Sequence, residues 1–272
     1  MGCDSLHPDI NFALDFLTEL FHEGLNYSSI NIARSALSAI LAPYADGTFG
    51  THPLVLRVMK GIFNSRPPQP RYSTSWEVGI VLSYLRQLSP VKALGLKDLT
   101  IKLTMLLALV TGQRCQTLHL LDLKLLHKGS DYVFSFDTPL KHSRAHKAAP
   151  SVTLKPFPPD RRLCVITVLK EYISRTASLR GEHSRLLISF IKPHKPISRS
   201  SVSRWVKVCL VKSGIDTSVY SAHSTRMAST SKAYFARVPL ETIMSTAGWS
   251  TAGTFRKFYF RDTTSFAAAV LA

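Results

Sequence analysis

The sequence predicts a mainly helical protein with one small antiparallel β-sheet, divided into two domains. Three observations carry this. Apolar residues recur at helical spacing on both sides of the chain's middle, one short segment alternates with period two, and a proline cluster interrupts the pattern near residue 67.

From the N-terminus, Ile10, Leu14, Leu17 and Phe21 mark one helix face, which Ala13, Phe16 and Leu20 widen. Asn26 to Ser29 break the pattern, and Ser28 or Ser29 is expected to cap a second helix running to Ile40, with Ala33, Leu37 and Ile40 on its apolar side. Pro43 to Gly50 reads as a loop and Leu54 to Phe63 as a third helix. The run Arg66-Pro67-Pro68-Gln69-Pro70-Arg71 cannot continue a helix, because proline lacks the amide donor and clashes with the preceding turn. These signals predict a helical domain over 1–66, a linker over 67–74 and a second domain over 75–272.

The second domain opens with helical segments near 75–88 and 96–111. The latter is apolar nearly all round from Leu103 to Val110, as expected of a central buried helix. Tyr132, Phe134 and Phe136 alternate with Val133, Ser135 and Asp137 in a strand, and Ser151 to Leu154 is its expected return. From about residue 160 the pattern is helical again, punctuated at Pro193–Pro196, Gly214, Pro239 and Gly248.

Charge narrows the function. The chain has 34 Lys and Arg against 17 Asp and Glu, a net +17, which points to a polyanionic partner. Residues 1–75 contain five cations and six acids, so the remaining 29 cations and 11 acids put +18 on the rest. The four cysteines are widely separated with no CxxC pair, which argues against a zinc site and a disulfide framework. No apolar run reaches membrane-spanning length, and no signal peptide is expected.

Phosphodiester chemistry requires a nucleophile, donors for the non-bridging oxygens and an acid for the leaving oxygen. Arg114 follows Thr111-Gly112-Gln113 at the end of the buried helix. Lys141 follows the alternating strand, His223 and Arg226 lie three apart in Ser221-Ala222-His223-Ser224-Thr225-Arg226, and Trp249 sits between a helix stop at Gly248 and a new cap at Ser250. Phe255, Phe258 and Tyr259 share a helix face. Each has an ordinary alternative: a surface arginine, a solvated basic hairpin, an exposed His–Arg pair, a core tryptophan, a core aromatic stripe. Their combination is what is informative.

In this order, Arg114, Lys141, His223-x-x-Arg226, Trp249 and Tyr259 resemble the catalytic set of the tyrosine recombinases and phage-type integrases. The likeness extends to the early helices, which look like that family's core-binding domain through Tyr27-Ser28-Ser29-Ile30 and Ser35-Ala36-Leu37-Ser38. Ala222 to Arg226, Trp249 in place of the commoner His, and Thr254-Phe255-Arg256-Lys257-Phe258-Tyr259 look most like recombinases of eukaryotic mobile elements, the DIRS-type retrotransposons and their Ngaro and Crypton relatives. Three features depart from the pattern: the first domain is not basic, Trp249 and Tyr259 are ten positions apart, and Lys147 shares the hairpin of Lys141.

The resemblance implies a core-binding domain followed by a catalytic domain, and site-specific cleavage and rejoining of double-stranded DNA with Tyr259 as nucleophile. It implies no cofactor, no metal, no membrane or small-molecule partner, a homo-tetramer on two DNA sites, and nuclear action in a eukaryotic host. It also implies that the apolar tail, residues 263–272, docks on a neighbouring subunit. The alternative is a catalytically inactive DNA-binding protein derived from a recombinase, which the intact six positions disfavour. A type IB topoisomerase shares much of the chemistry but not the first domain. An RNA-binding protein would need aromatic stacking platforms, and none is identifiable.

Overall fold

The computed structural model describes residues 6–44, 47–69, 72, 74–140, 143, 149–249, 251–253 and 255. The chain divides into two compact units, residues 1–71 and 72–272.

Among its described residues the first unit holds three α-helices, α1 (Ile10–His22), α2 (Tyr27–Ile40) and α3 (Pro53–Ser65). They pack around Leu17, Ile30, Phe49, Val55, Met59 and Ile62. Three expectations need correction. The cap of α2 is Asn26, whose side chain accepts from the Ser29 amide, so the helix starts before Ser28 and Ser29. Asn, Asp and Ser cap almost equally well, and the first of the polar residues took the position. The apolar face of α1 is also narrower than its sequence pattern: Phe16 is 43% exposed, while Ala13 and Leu17 are buried. Ile40, the last residue of α2, is 64% exposed because the chain leaves the helix there, with Leu41 extended. Arg66 closes the unit by donating from Nη1 to the carbonyls of Leu25 (2.7 Å) and Phe21 (3.3 Å), with its guanidinium 4.4 Å from the Phe21 ring. This ties the end of α3 to the last turn of α1 and to the loop that follows it.

The second unit is built on α5 (Leu96–Thr111), buried without interruption from Leu99 to Ala108. Around it lie α4 (Val78–Gln87), α6 (Cys115–His119), α7 (Val165–Thr176), α8 (Arg199–Lys212), α9 (Ser224–Phe235) and α10 (Leu240–Ala247). The sheet has three antiparallel strands in the order β1 (Leu126–Lys128), β2 (Tyr132–Ser135) and β3 (Ser151–Leu154). Pairing sets Phe134 opposite Leu126 on one side and Val152 on the other. The buried residues of β2, Tyr132 and Phe134, alternate as the sequence pattern requires. The strand ends at Ser135, short of Phe136 and Asp137. The edge strand β1 was not foreseen: three residues with one apolar side chain carry no period-two signal. No helix among the described residues is long and apolar enough to cross a membrane.

Lys102 is the exception within α5. It is 0% exposed, and its Nζ donates to the carbonyls of Leu85 (2.9 Å) and Leu88 (2.6 Å) at the end of α4. The ammonium thus caps α4 from the core, where helix carbonyls favour a cation. Burial holds its pKa down to about 8 from 10.5, against the opposing influence of Asp160. At neutral pH the lysine is protonated in both folded and unfolded chains. Between pH 8 and 10.5 the unfolded chain binds the extra proton, so this residue's contribution to stability rises with pH. Urea unfolding of the wild type and Lys102→Met at pH 7 and pH 10 is expected to show the difference moving in the wild type's favour by about 2 kcal/mol. Parallel pH profiles would contradict this assignment.

Candidate active site

The site is assembled from three helix ends. α5 stops at Thr111 because Gly112 takes the left-handed conformation, with φ +56°, and donates its amide to Ala108 O at 3.1 Å. A β-carbon on Gly112 would lie 3.2 Å from Thr230 Cγ2 on α9 and 3.6 Å from Ala247 Cβ on α10. The turn is therefore seated between those two helices, and glycine is required there twice over, for backbone angle and for space. Gly112→Ala is expected to cost about 1–2 kcal/mol from the left-handed backbone alone, with the Thr230 contact adding to it, measured by chemical denaturation.

Gln113, buried, donates from Nε2 to Thr246 O on α10 at 2.6 Å, fixing the chain just before Arg114. Arg114 is half-buried and occupies the N-cap position of α6. Its Nη1 is buried with no hydrogen-bond partner among the described residues, and none of their carboxylates pairs with it. A buried N–H without an acceptor costs free energy unless an acceptor is supplied from outside.

α9 contributes Arg226, which is 2% exposed. Its Nη1 donates to Gly112 O at 2.9 Å, so the second arginine of the site is bonded to the turn that positions the first. Its Cζ lies 4.4 Å from the Trp249 ring centroid, within cation–π range. Trp249 is delivered by the end of α10. Gly248 is left-handed, with φ +67°, and the Trp249 amide turns back to Met244 O at 2.9 Å. The indole is buried and stands 5.5 Å from the Phe255 ring, in an apolar cluster with Met227, Ile243 and Ala247. His223 takes the N-cap position of α9, one turn ahead of Arg226, and is exposed.

The structure therefore brings Arg226 against both the Gly112 turn and Trp249, with Arg114 two residues beyond that turn and His223 at the head of the same helix. Lys141 and Tyr259 lie outside the described residues, as do Lys147, Ser250, Phe258 and the tail 263–272. Gln113 is the residue that sequence reasoning passed over; its only signal was its place between a helix-stopping glycine and an arginine. Among the described residues, no group of three or more His, Cys, Asp or Glu is placed to hold a metal ion.

Residues 85–265 match the phage integrase family. No curated protein matches the chain in sequence. Among solved structures, the Tn1549 transposon integrase in complex with transposon right end DNA is 14% identical, with a TM-score of 0.64, covering 100% of this chain and 85% of that one. The XerH site-specific recombinase, in a post-cleavage complex with palindromic difH substrate, is 15% identical, with a TM-score of 0.61, covering 91% of this chain and 67% of that one. A lambda integrase tetramer bound to a Holliday junction is 16% identical, with a TM-score of 0.52, covering 93% and 64%. These likenesses show the fold: a mainly helical chain with a small three-stranded antiparallel sheet, as in tyrosine recombinase catalytic domains.

Proposed function

Because the chain belongs to the phage integrase family, we propose that it is a site-specific DNA recombinase that cleaves and rejoins DNA through a 3′-phosphotyrosine at Tyr259. The observation that carries this reading is the arginine pair. Arg226 is fixed between Gly112 O and the Trp249 ring, and Arg114 keeps a buried guanidinium N–H without an acceptor among the described residues. Planar, permanently charged donors held rigidly at a helix junction suit the non-bridging oxygens of a phosphodiester.

In this mechanism the Tyr259 oxygen attacks phosphorus, the bond to the 5′ oxygen breaks, and the 3′ phosphate stays on the tyrosine. A phenol with an ordinary pKa of about 10 needs its proton removed, and His223 assists that removal. Arg114 and Arg226 stabilise the charge that grows on the phosphate. Trp249 packs against Arg226 and contributes a donor, and Lys141 protonates the departing 5′ oxygen. One phosphodiester is exchanged for another, so attack by a new 5′ hydroxyl restores DNA with no ATP and no metal.

Exchange between two duplexes needs four protomers, a stoichiometry supported by the lambda integrase tetramer on a Holliday junction. The Ala222–Arg226 run, Trp249 and the Thr254–Tyr259 run support a place among mobile-element recombinases acting in a eukaryotic nucleus. Incubation with a supercoiled plasmid, with and without DNA flanking the gene, tests the reading. Joined products that depend on the flanking sequence are expected. Relaxation of any plasmid regardless of sequence would instead indicate a topoisomerase.

A further inference from the structure

The turn that carries His223 is held by residues almost 150 positions away. At the opening of the second unit, before α4, Trp76 is buried and donates from Nε1 to Ser224 Oγ at 2.9 Å. Ser224, fully buried, donates its own hydroxyl to Ser221 O at 2.7 Å, and its amide bonds to the same carbonyl at 2.9 Å. Tyr72, the first residue of the second unit, places its hydroxyl 2.6 Å from Ser221 Oγ and stacks on Tyr220, with ring centroids 5.8 Å apart. Thr74 and Tyr220 add a hydroxyl pair at 3.0 Å. The Tyr72 ring belongs to the same apolar cluster as Trp249 and Phe255.

These contacts brace the turn that opens α9, whose first amides, from Ser224 to Arg226, bond to the carbonyls of Ser221, Ala222 and His223. The first amides of a helix lack intrahelical acceptors, and a polar N-cap side chain ordinarily satisfies one of them. His223 sits at the N-cap of α9 without capping it through its side chain. Ser221 and Ser224 close the turn instead, and Tyr72 and Trp76 fix those two serines from outside. The first turn of α9, which leads to Arg226, and the backbone that carries His223 are thus tied to Trp76 through Ser224 and to Tyr72 through Ser221.

Resting on the recombinase reading above, we infer that Tyr72 and Trp76 are positioning residues for DNA cleavage, holding the Ser221–Ser224 turn so that His223 and Arg226 meet one phosphate together. Trp76→Phe removes the N–H and keeps most of the ring, and Tyr72→Phe removes a single oxygen. In single-turnover cleavage of a nicked duplex by the full chain, Trp76→Phe is expected to slow adduct formation about 10-fold or more, since small misplacements of reacting groups are costly. The pH profile of the rate should move while DNA affinity changes little, and Tyr72→Phe, which removes one oxygen and no ring atoms, should also keep its melting temperature. Trp76→Phe combined with Ser224→Ala should be no slower than the slower single variant, because both break the same bond.

Wild-type rates and an unchanged pH profile in both Phe variants would overturn the inference, as would purely additive losses in the double variant. If the wild type itself forms no adduct, the recombinase reading fails separately. The imidazole NMR titration of His223 then decides positioning on its own: a shifted titration in Tyr72→Phe supports it, and an unchanged one rejects it. Tyr72→Phe also serves if Trp76→Phe does not fold.

Discussion

Tyr259→Phe is expected to lose the covalent protein–DNA adduct entirely while keeping DNA affinity within about 5-fold, since one hydroxyl contributes on the order of 1 kcal/mol to binding. The loss of chemistry should be at least roughly 10⁴-fold, the scale on which removal of a nucleophile is felt. The two quantities separate because they rest on different groups. Affinity for duplex DNA rises from many cations, and the chain has 34 Lys and Arg, 29 of them after residue 75. Covalent capture rests on one oxygen. Gel shift at fixed salt and SDS gel analysis of the same samples read the two side by side. Phe258, the neighbouring position, has no nucleophilic atom and cannot substitute.

The second large effect is expected at Arg226. Its guanidinium satisfies Gly112 O at 2.9 Å and lies 4.4 Å from the Trp249 ring centroid. Lysine at this position retains a positive charge and can reach one acceptor. It lacks the planar fork that bonds a backbone carbonyl and a phosphate from the same group. Arg226→Lys is therefore expected to reduce the cleavage rate by about 10²–10³-fold, as loss of a transition-state donor does, with a smaller effect on DNA affinity. Single-turnover rates at saturating protein are the measurement, with thermal melting as the control for folding. A rate within a factor of about two of wild type would remove Arg226 from the phosphate site, since one lost transition-state donor normally costs far more.

The legible parts of this protein were those written in local chemistry. Gly112 and Gly248 announced helix ends, and both are left-handed caps. The segment from Leu103 to Val110, apolar nearly all round, announced the central helix, and the alternation at Tyr132 and Phe134 announced a strand. Arg114, His223, Arg226 and Trp249 were selected by residue type and order, and the structure sets Arg226 between the Gly112 turn and Trp249.

Illegible features depend on partners far along the chain or on a single residue's choice. Lys102 looks like a solvent-facing charge until the α4 carbonyls are seen above it. Gln113 acquires its role only through Thr246, and Trp76 only through Ser224. Phe16 fits the helical period of α1 yet falls at the edge of its buried face, where period alone does not decide exposure. The edge strand β1 is too short to show any period.

The central claim, that Tyr259 joins this protein to DNA through a phosphate, is tested most directly by a nicked suicide duplex carrying the sequence that flanks its gene. The wild-type chain should yield an SDS-resistant complex whose nucleotide-bearing peptide maps to Tyr259, with none from Tyr259→Phe. Tight binding to that duplex with no complex from the wild type, or a complex that persists in Tyr259→Phe, would contradict it.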